Sequence, residues 1–330
     1  MDLVARLSPA KRRDLFSETA ASMNMTPAIA EKDFWVCWTL SKLFAHPHLS
    51  RLLMFKGGTS LSKVFHLIER FSEDIDLILD WNEVVGADDP LAARSANKQA
   101  AVNKTIESNA AAYIGGDLLA MIQQVVGPIC QCAIADDDDH TINVIYPAAF
   151  PDSYLRPEVR LEIGPLASWT PHDHYQIKPY AAEAFPLVFS QPDCALRTIR
   201  AERTFWEKAT ILHHEANRPV DNAQHARYSR HYYDLAMMAG SSTRAAALAD
   251  LGLLDDVVAF KERFYRRGWA HYDLAKPGTF QLIPPAHVLS VVEQDYKQMR
   301  AMIFGRYPEF DEIMSTLRAL EAEINGLQRR

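Results

Sequence analysis

The sequence predicts an α+β fold: a mixed β-sheet core flanked by helices, then a helical C-terminal region. Three observations predict it. A short apolar run, Leu52-Leu53-Met54-Phe55, ends in Lys56-Gly57-Gly58, as a strand entering a tight turn does. Further strand-like runs follow at 75 to 79, 141 to 146 and 159 to 163. After Leu196 the character changes, and residues 197 to 330 read almost wholly as helix, with a break at 268 to 285. A boundary near 196 divides the chain into 1–195 and 196–330.

The elements follow in order. The opening reads as helices, because Val36, Leu40, Leu43 and Phe44 recur at helical spacing and form one buried stripe. The strand ending at Phe55 and its glycine turn lead into a second helix. Thr59 or Ser60 is a suitable N-cap, and Leu61, Val64, Phe65 and Ile68 again keep helical spacing. Ile75, Leu77, Ile78 and Leu79 mark the next strand. Residues 91 to 126 read as Ala-rich helix. The strands at 141 to 146 and 159 to 163 are punctuated by Pro147, Pro151 and Pro157, and residues 171 to 195, with four prolines, read as loop and short strand.

Composition narrows the function. The chain is 48% hydrophobic and 23% charged, the balance of a soluble globular protein. A net charge of −7 excludes a protein that coats nucleic acid nonspecifically, while allowing a local basic groove. Cys37, Cys130, Cys132 and Cys194 lack metal-ligand spacing and read as reduced core thiols. The N-terminus has no apolar signal region, and no run approaches the roughly 18 apolar residues that span a bilayer. The expectation is a cytoplasmic protein with no membrane partner.

The chemistry concentrates between residues 55 and 77. In F-K-G-G-T-S-L-S-K, Gly57 and Gly58 permit close backbone approach, and N–H groups of Gly57, Gly58, Thr59 and Ser60 can cradle the phosphates of a nucleoside triphosphate. Lys63, in the first turn of the following helix, is disfavoured there by roughly a few tenths of a kcal/mol, a sign that bound phosphate would reverse. Taken alone, this stretch also reads as a plain strand–turn–helix junction with a surface lysine. In R-F-S-E-D-I-D-L, Asp74 and Asp76 alternate along a strand and share a face, where their carboxylates can hold Mg2+. Ser72 joins the nucleotide-binding set. Glu162, alternating with Leu161 and Ile163, is the candidate third metal ligand; the bland reading is an exposed strand residue with Arg160 beside it.

A strand, a GG turn, a helix and a D-x-D strand resemble the DNA-polymerase-beta-like nucleotidyltransferases. The run FKGGTSLSKVFHLIERFSEDIDL more closely resembles the AbiEii/AbiGii nucleotidyltransferase toxins of bacterial abortive-infection and toxin–antitoxin systems. So do the upstream E-K-D-F at Glu31 to Phe34, the downstream R-T-F-W-E-K ending at Lys208, and D-Y-K-Q-M beginning at Asp295. The resemblance implies that Lys208 and Asp234, on successive helices of the C-terminal region, complete the catalytic set with Asp74 and Asp76. Lys208 would also bind nucleotide. It implies NMP transfer from an NTP to an acceptor, an RNA such as a tRNA 3′ end, and a separate antitoxin protein. The residues alone also allow a snorkelling Lys208 and a structural ion pair at Asp234. Where many relatives carry an acid three residues before the aspartate, this chain has His231. Two other functions stay open: transfer to a protein or small molecule, and a non-catalytic nucleotide-binding protein.

Three features fall outside this scheme. His172, His174, His213 and His214 read as loop and helix-surface histidines. The four aspartates at 136 to 139 read as a solvated loop. The stretch K-E-R-F-Y-R-R-G-W, 261 to 269, reads either as the end of an amphipathic helix or as a basic–aromatic grip for RNA.

Overall fold

The computed structural model describes residues 1–72, 74–86, 89–150 and 156–328; Glu73 of the acidic motif and Pro151 lie outside the described residues. The chain divides into two compact units. Unit 1 comprises residues 1–64 and 71–199; unit 2 comprises residues 65–70 and 200–330.

Unit 1 holds a seven-stranded mixed sheet, as the α+β expectation requires. Its strands are β1 (Leu53–Lys56), β2 (Asp74–Leu79), β3 (Gln131–Ala135), β4 (Asp138–Ile145), β5 (Glu158–Gly164), β6 (His172–Ile177) and β7 (Cys194–Ile199), in spatial order β3-β4-β5-β2-β1-β7-β6. β1 runs antiparallel to β2, while β2 and β5 are parallel. β3 was not anticipated: Gln131 to Ala135 holds a single bulky apolar residue, Ile134, and pairs at the sheet edge with β4. β7 extends through Thr198 and Ile199, where sequence periodicity predicts helix. In β2, Ile75, Leu77 and Leu79 are buried while Asp74 and Asp76 remain partly exposed, the alternation the motif predicts.

The helix Pro27–Ala45 explains the E-K-D-F segment. Thr26 caps it, accepting the Ile29 N–H, and Pro27 opens its first turn. Phe34, Trp35 and Trp38 enter the core, and Trp35 stacks on Tyr146 at 5.3 Å. The adjoining charges are buried and satisfied. Glu31 accepts backbone N–H groups of Ala149 and Phe150 at 2.8 to 3.0 Å. Asp33 accepts the Tyr180 N–H at 2.7 Å and ion-pairs with Lys63 at 2.7 Å. The motif therefore ties distant segments of unit 1 together.

The helix after β1 departs from expectation at both ends. It begins at Gly57 itself and stops at Lys63. Thr59 and Ser60 are not N-caps: Thr59 donates its hydroxyl to the Asp74 carbonyl and Ser60 to the Gly57 carbonyl. Nor does the helix continue to Ile68. His66 takes a left-handed conformation, φ 52°, and residues 65–70 pack into unit 2. The apolar spacing of Phe65 and Ile68 serves that packing instead.

Unit 2 is helical apart from the 65–70 segment and the loops. Its main helices are Ala201–Ala216, Ser229–Ala239, Ser242–Ala249, Leu251–Phe264, Ala286–Gln298 and Phe310–Asn325, and the break expected at 268 to 285 begins at 265. Phe205, Trp206, Tyr232, Tyr233, Tyr296 and Leu317 are among its buried core. Asp295 of D-Y-K-Q-M accepts the N–H groups of Arg227 at 2.7 Å and Ser229 at 2.8 Å, so it fixes the start of the helix that carries Asp234. No helix among the described residues is long and apolar enough to cross a membrane.

Candidate active site

The acidic face of unit 1 is built by register. Across three strands Lys56, Asp76 and Glu162 stand in one row, because Lys56 pairs with Asp76 on the antiparallel side and Asp76 with Glu162 on the parallel side. Directly paired residues share a face of the sheet. In the next row Asp74 pairs with Arg160, whose Nε lies 4.0 Å from the Asp74 carboxylate. Arg160 also binds Asp137 at 3.1 Å, and these carboxylates raise its pKa against the desolvation that opposes it.

Gly57 is the second component. Its φ is +80°, and a Cβ built there would stand 1.8 Å from Oδ2 of Asp76. The carboxylate occupies the space a side chain would take, so glycine is required by conformation and by contact alike. Gly57→Ala is expected to cost roughly 1–3 kcal/mol in backbone strain. It should also lower transfer by about a hundredfold through displacement of Asp76. Denaturant unfolding and single-turnover kinetics check the two parts; unchanged kinetics would show that the Asp76 position is irrelevant.

Lys63 occupies a different place from the one expected. It lies in the last turn of the Gly57–Lys63 helix, buried, with its ammonium 2.7 Å from Asp33 and 3.5 Å from the centre of the Tyr180 ring. Burial opposes its charge, but Asp33 outweighs it and raises the pKa. The helix-dipole argument for phosphate at Lys63 therefore does not apply. Gly58, Thr59 and Ser60 are buried, and Ser72 is half-buried on the approach to β2.

Unit 2 brings Lys208 and Asp234 together. Lys208 donates to Asp234 Oδ2 at 2.7 Å, and both are buried. Arg70, which sequence reasoning passed over, clamps the same carboxylate with Nε on Oδ1 at 2.7 Å and Nη2 on Oδ2 at 2.8 Å. Burial alone would raise the Asp234 pKa; the two cations hold it well below the usual carboxylate range. Burial pushes Lys208 down, Asp234 pulls against it, and the neighbouring Arg70 adds to the fall. His231 stands where many relatives carry an acid. Burial, reinforced by Lys208 and Arg230, drives it well below the usual histidine range. The available signal for Arg70 was its place at the head of R-F-S-E-D-I-D-L; its partner lies 164 positions away.

His213 and His214 are buried rather than on the helix surface, because their helix is covered by the 269 to 281 segment. His172 and His174 lie exposed on β6. Asp138, Asp139 and His140 group exposed ligand atoms within 4.8 Å. His140 already has protein partners at both ring nitrogens, Asp139 at 2.9 Å from Nδ1 and the Glu107 carbonyl at 3.1 Å from Nε2. The four cysteines are free. Burial pushes Cys132 up to about 11 and Cys130 up to about 12, as for inert core thiols.

A glycine turn closed against an acidic strand of a mixed sheet is the arrangement of a nucleotidyltransferase. The family model described as nucleotidyl transferase AbiEii toxin, type IV toxin–antitoxin system, matches residues 38–316, and the chain belongs to that family. As a member it is a nucleotidyltransferase toxin, with a nucleotide substrate and an antitoxin counterpart. Among solved structures it is similar to MenT4, a nucleotidyltransferase toxin from Mycobacterium tuberculosis H37Rv. The identity is 17%, the TM-score 0.50, and the match covers 98% of this chain and 91% of that one; at this identity the likeness speaks for the fold alone. No curated protein matches the chain.

Proposed function

We propose that the protein transfers NMP from an NTP to a hydroxyl of an RNA acceptor, the 3′ end of a tRNA, and acts as a growth-arresting toxin in the cytoplasm. The observation that carries this reading is the shared face of Asp74, Asp76 and Glu162, with the Asp76 carboxylate packed over Gly57. Three oxygen donors in two adjoining rows suit Mg2+, which prefers carboxylate ligands. Bound there, the ion would activate the acceptor hydroxyl and neutralise charge on the leaving pyrophosphate.

The chain's own groups do the positioning. Backbone N–H groups of Gly57, Gly58, Thr59 and Ser60 approach the triphosphate, with Ser72 nearby in sequence. Lys63 holds this turn from inside through Asp33. The acceptor oxygen bonds to the α-phosphorus, the bond from that phosphorus to the bridging oxygen breaks, pyrophosphate leaves, and the hydroxyl proton passes to solvent. Lys208 neutralises phosphate charge, and Asp234, fixed by Arg70, orients Lys208. Support for giving unit 2 a part in this chemistry lies in the sequence: only three residues, Phe71 to Glu73, stand between Arg70 and Asp74. In this reading unit 1 supplies the core, and unit 2 the Lys208–Asp234 pair with Arg70.

The test is incubation with Mg2+, total bacterial tRNA and each labelled NTP in turn. Label on tRNA, lost when a chelator removes the metal, is the expected result. Label on protein or small molecules alone would overturn the RNA acceptor, and NTP binding without any transfer would overturn catalysis.

A further inference from the structure

The proposed reaction makes no use of the stretch that begins at Lys261. It leaves the last turn of the Leu251–Phe264 helix and continues as a loop. Residues 261 to 276 carry five lysines and arginines against two carboxylates, in a chain whose net charge is −7. Cations in the last turn of a helix complement its dipole, which accounts for Lys261 and Arg263. It does not account for Arg266 and Arg267, which are exposed beyond the helix end.

Aromatic rings interleave with these charges. Tyr265 is 47% exposed, and the Lys261 ammonium lies 5.7 Å from its ring centre. Trp269, partly exposed, stands 4.3 Å from the His214 ring, and the Arg218 guanidinium lies 4.9 Å from the indole centre. His214 is only 9% exposed, and its Nε2 is buried without a hydrogen-bond partner. Burial, with Arg267, Lys261 and Arg218 adding to it against Glu215, pushes His214 down to about 4. The ring is therefore neutral at physiological pH inside a positive surround.

The loop is also held in shape from below. His213 Nε2 meets the His271 carbonyl at 3.0 Å, and the Gln281 N–H donates to His213 Nδ1 at 3.0 Å. Asn325 binds the backbone of Phe280 in both directions, at 2.8 and 2.9 Å. A fixed loop spends less ordering entropy when a ligand arrives. Alternating cations and exposed rings match a single-stranded nucleic acid, in which phosphates and unstacked bases alternate.

We propose that this basic–aromatic loop of unit 2 docks the RNA acceptor, with Arg266 and Arg267 on phosphates and Tyr265 and Trp269 stacking the bases of a single-stranded end. The inference rests on the RNA-acceptor reading above. The test is fluorescence anisotropy of labelled bacterial tRNA with the full chain over a salt series. The variants are Arg266→Glu/Arg267→Glu, its milder form Arg266→Gln/Arg267→Gln, and Tyr265→Ala, each checked for an unchanged melting temperature. The charge reversal is expected to weaken binding by about tenfold or more and to flatten the slope of log affinity against log salt by roughly 1.4. Tyr265→Ala should weaken binding by roughly tenfold with the slope unchanged. If wild type binds tRNA and the arginine variants bind it equally, with the same slope, the docking site is overturned while the RNA acceptor stands, and an acidic protein becomes the better occupant. If wild type binds no tRNA, the acceptor reading falls and this inference with it.

Discussion

Replacing both strand carboxylates, Asp74→Ala with Asp76→Ala, is expected to lower nucleotide transfer by about a thousandfold or more and to leave the fold intact. The two parts have separate causes. Neither side chain belongs to the apolar core: the buried residues of β2 are Ile75, Leu77, Ile78 and Leu79, which the change does not touch. The β1 and β5 pairings use backbone groups that remain in place. The substitution removes the oxygen donors, and with them the attraction for a hard cation. The single variant Asp76→Asn keeps shape and removes charge, so it separates the packing over Gly57 from metal binding. The measurements are single-turnover label transfer, Mg2+ titration and thermal melting. Transfer that persists in a folded double variant would sink the assignment of this face.

Asp234→Asn is expected to be the most destabilising single change in the candidate site, at about 3–5 kcal/mol, because it leaves Arg70 and Lys208 buried without their shared anion. The pH dependence has a definite sign. Asp234 is held well below its unfolded pKa of about 3.9, chiefly by Arg70 and then Lys208 against the penalty of burial. Its contribution is therefore fully present above pH of about 4 and is lost as pH falls towards the folded value. Wild type should lose stability steeply in that acid range, and Asp234→Asn should lose less, since part of that stability is already gone. Urea unfolding at neutral and acid pH measures both. Equal stability of the two proteins at neutral pH would show that the cluster is not buried as described.

Short-range periodicity made much of the site legible. The alternation of Asp74 and Asp76 with Ile75 and Leu77 is a local property of one strand, and the structure follows it. Glu162 was legible as a strand residue, but its place beside Asp76 depends on β2 and β5 being parallel neighbours, which their separate sequences do not encode. Lys63 misled because charge usually means exposure; here Asp33 and Tyr180, from two other segments, make burial tolerable. Arg70 was missed for the same reason, as its partner is remote in sequence. The predicted helix through Ile68 failed because apolar spacing reports which residues are buried, not against which unit. Edge strand β3, with small residues around one Ile and a single neighbour, carries too weak an alternation to stand out.

The exchange of residues 65–70 into unit 2 has a consequence for dissecting the gene. The chain passes from one unit to the other three times, after residues 64, 70 and 199. No single stop codon or start codon can release either unit whole. A truncation ending near residue 199 would keep Arg70 while discarding its clamp partner Asp234, and a C-terminal fragment would lack Arg70 altogether. Recombination between relatives should therefore exchange these halves poorly, and inheritance of the toxin as one indivisible reading frame follows from six residues.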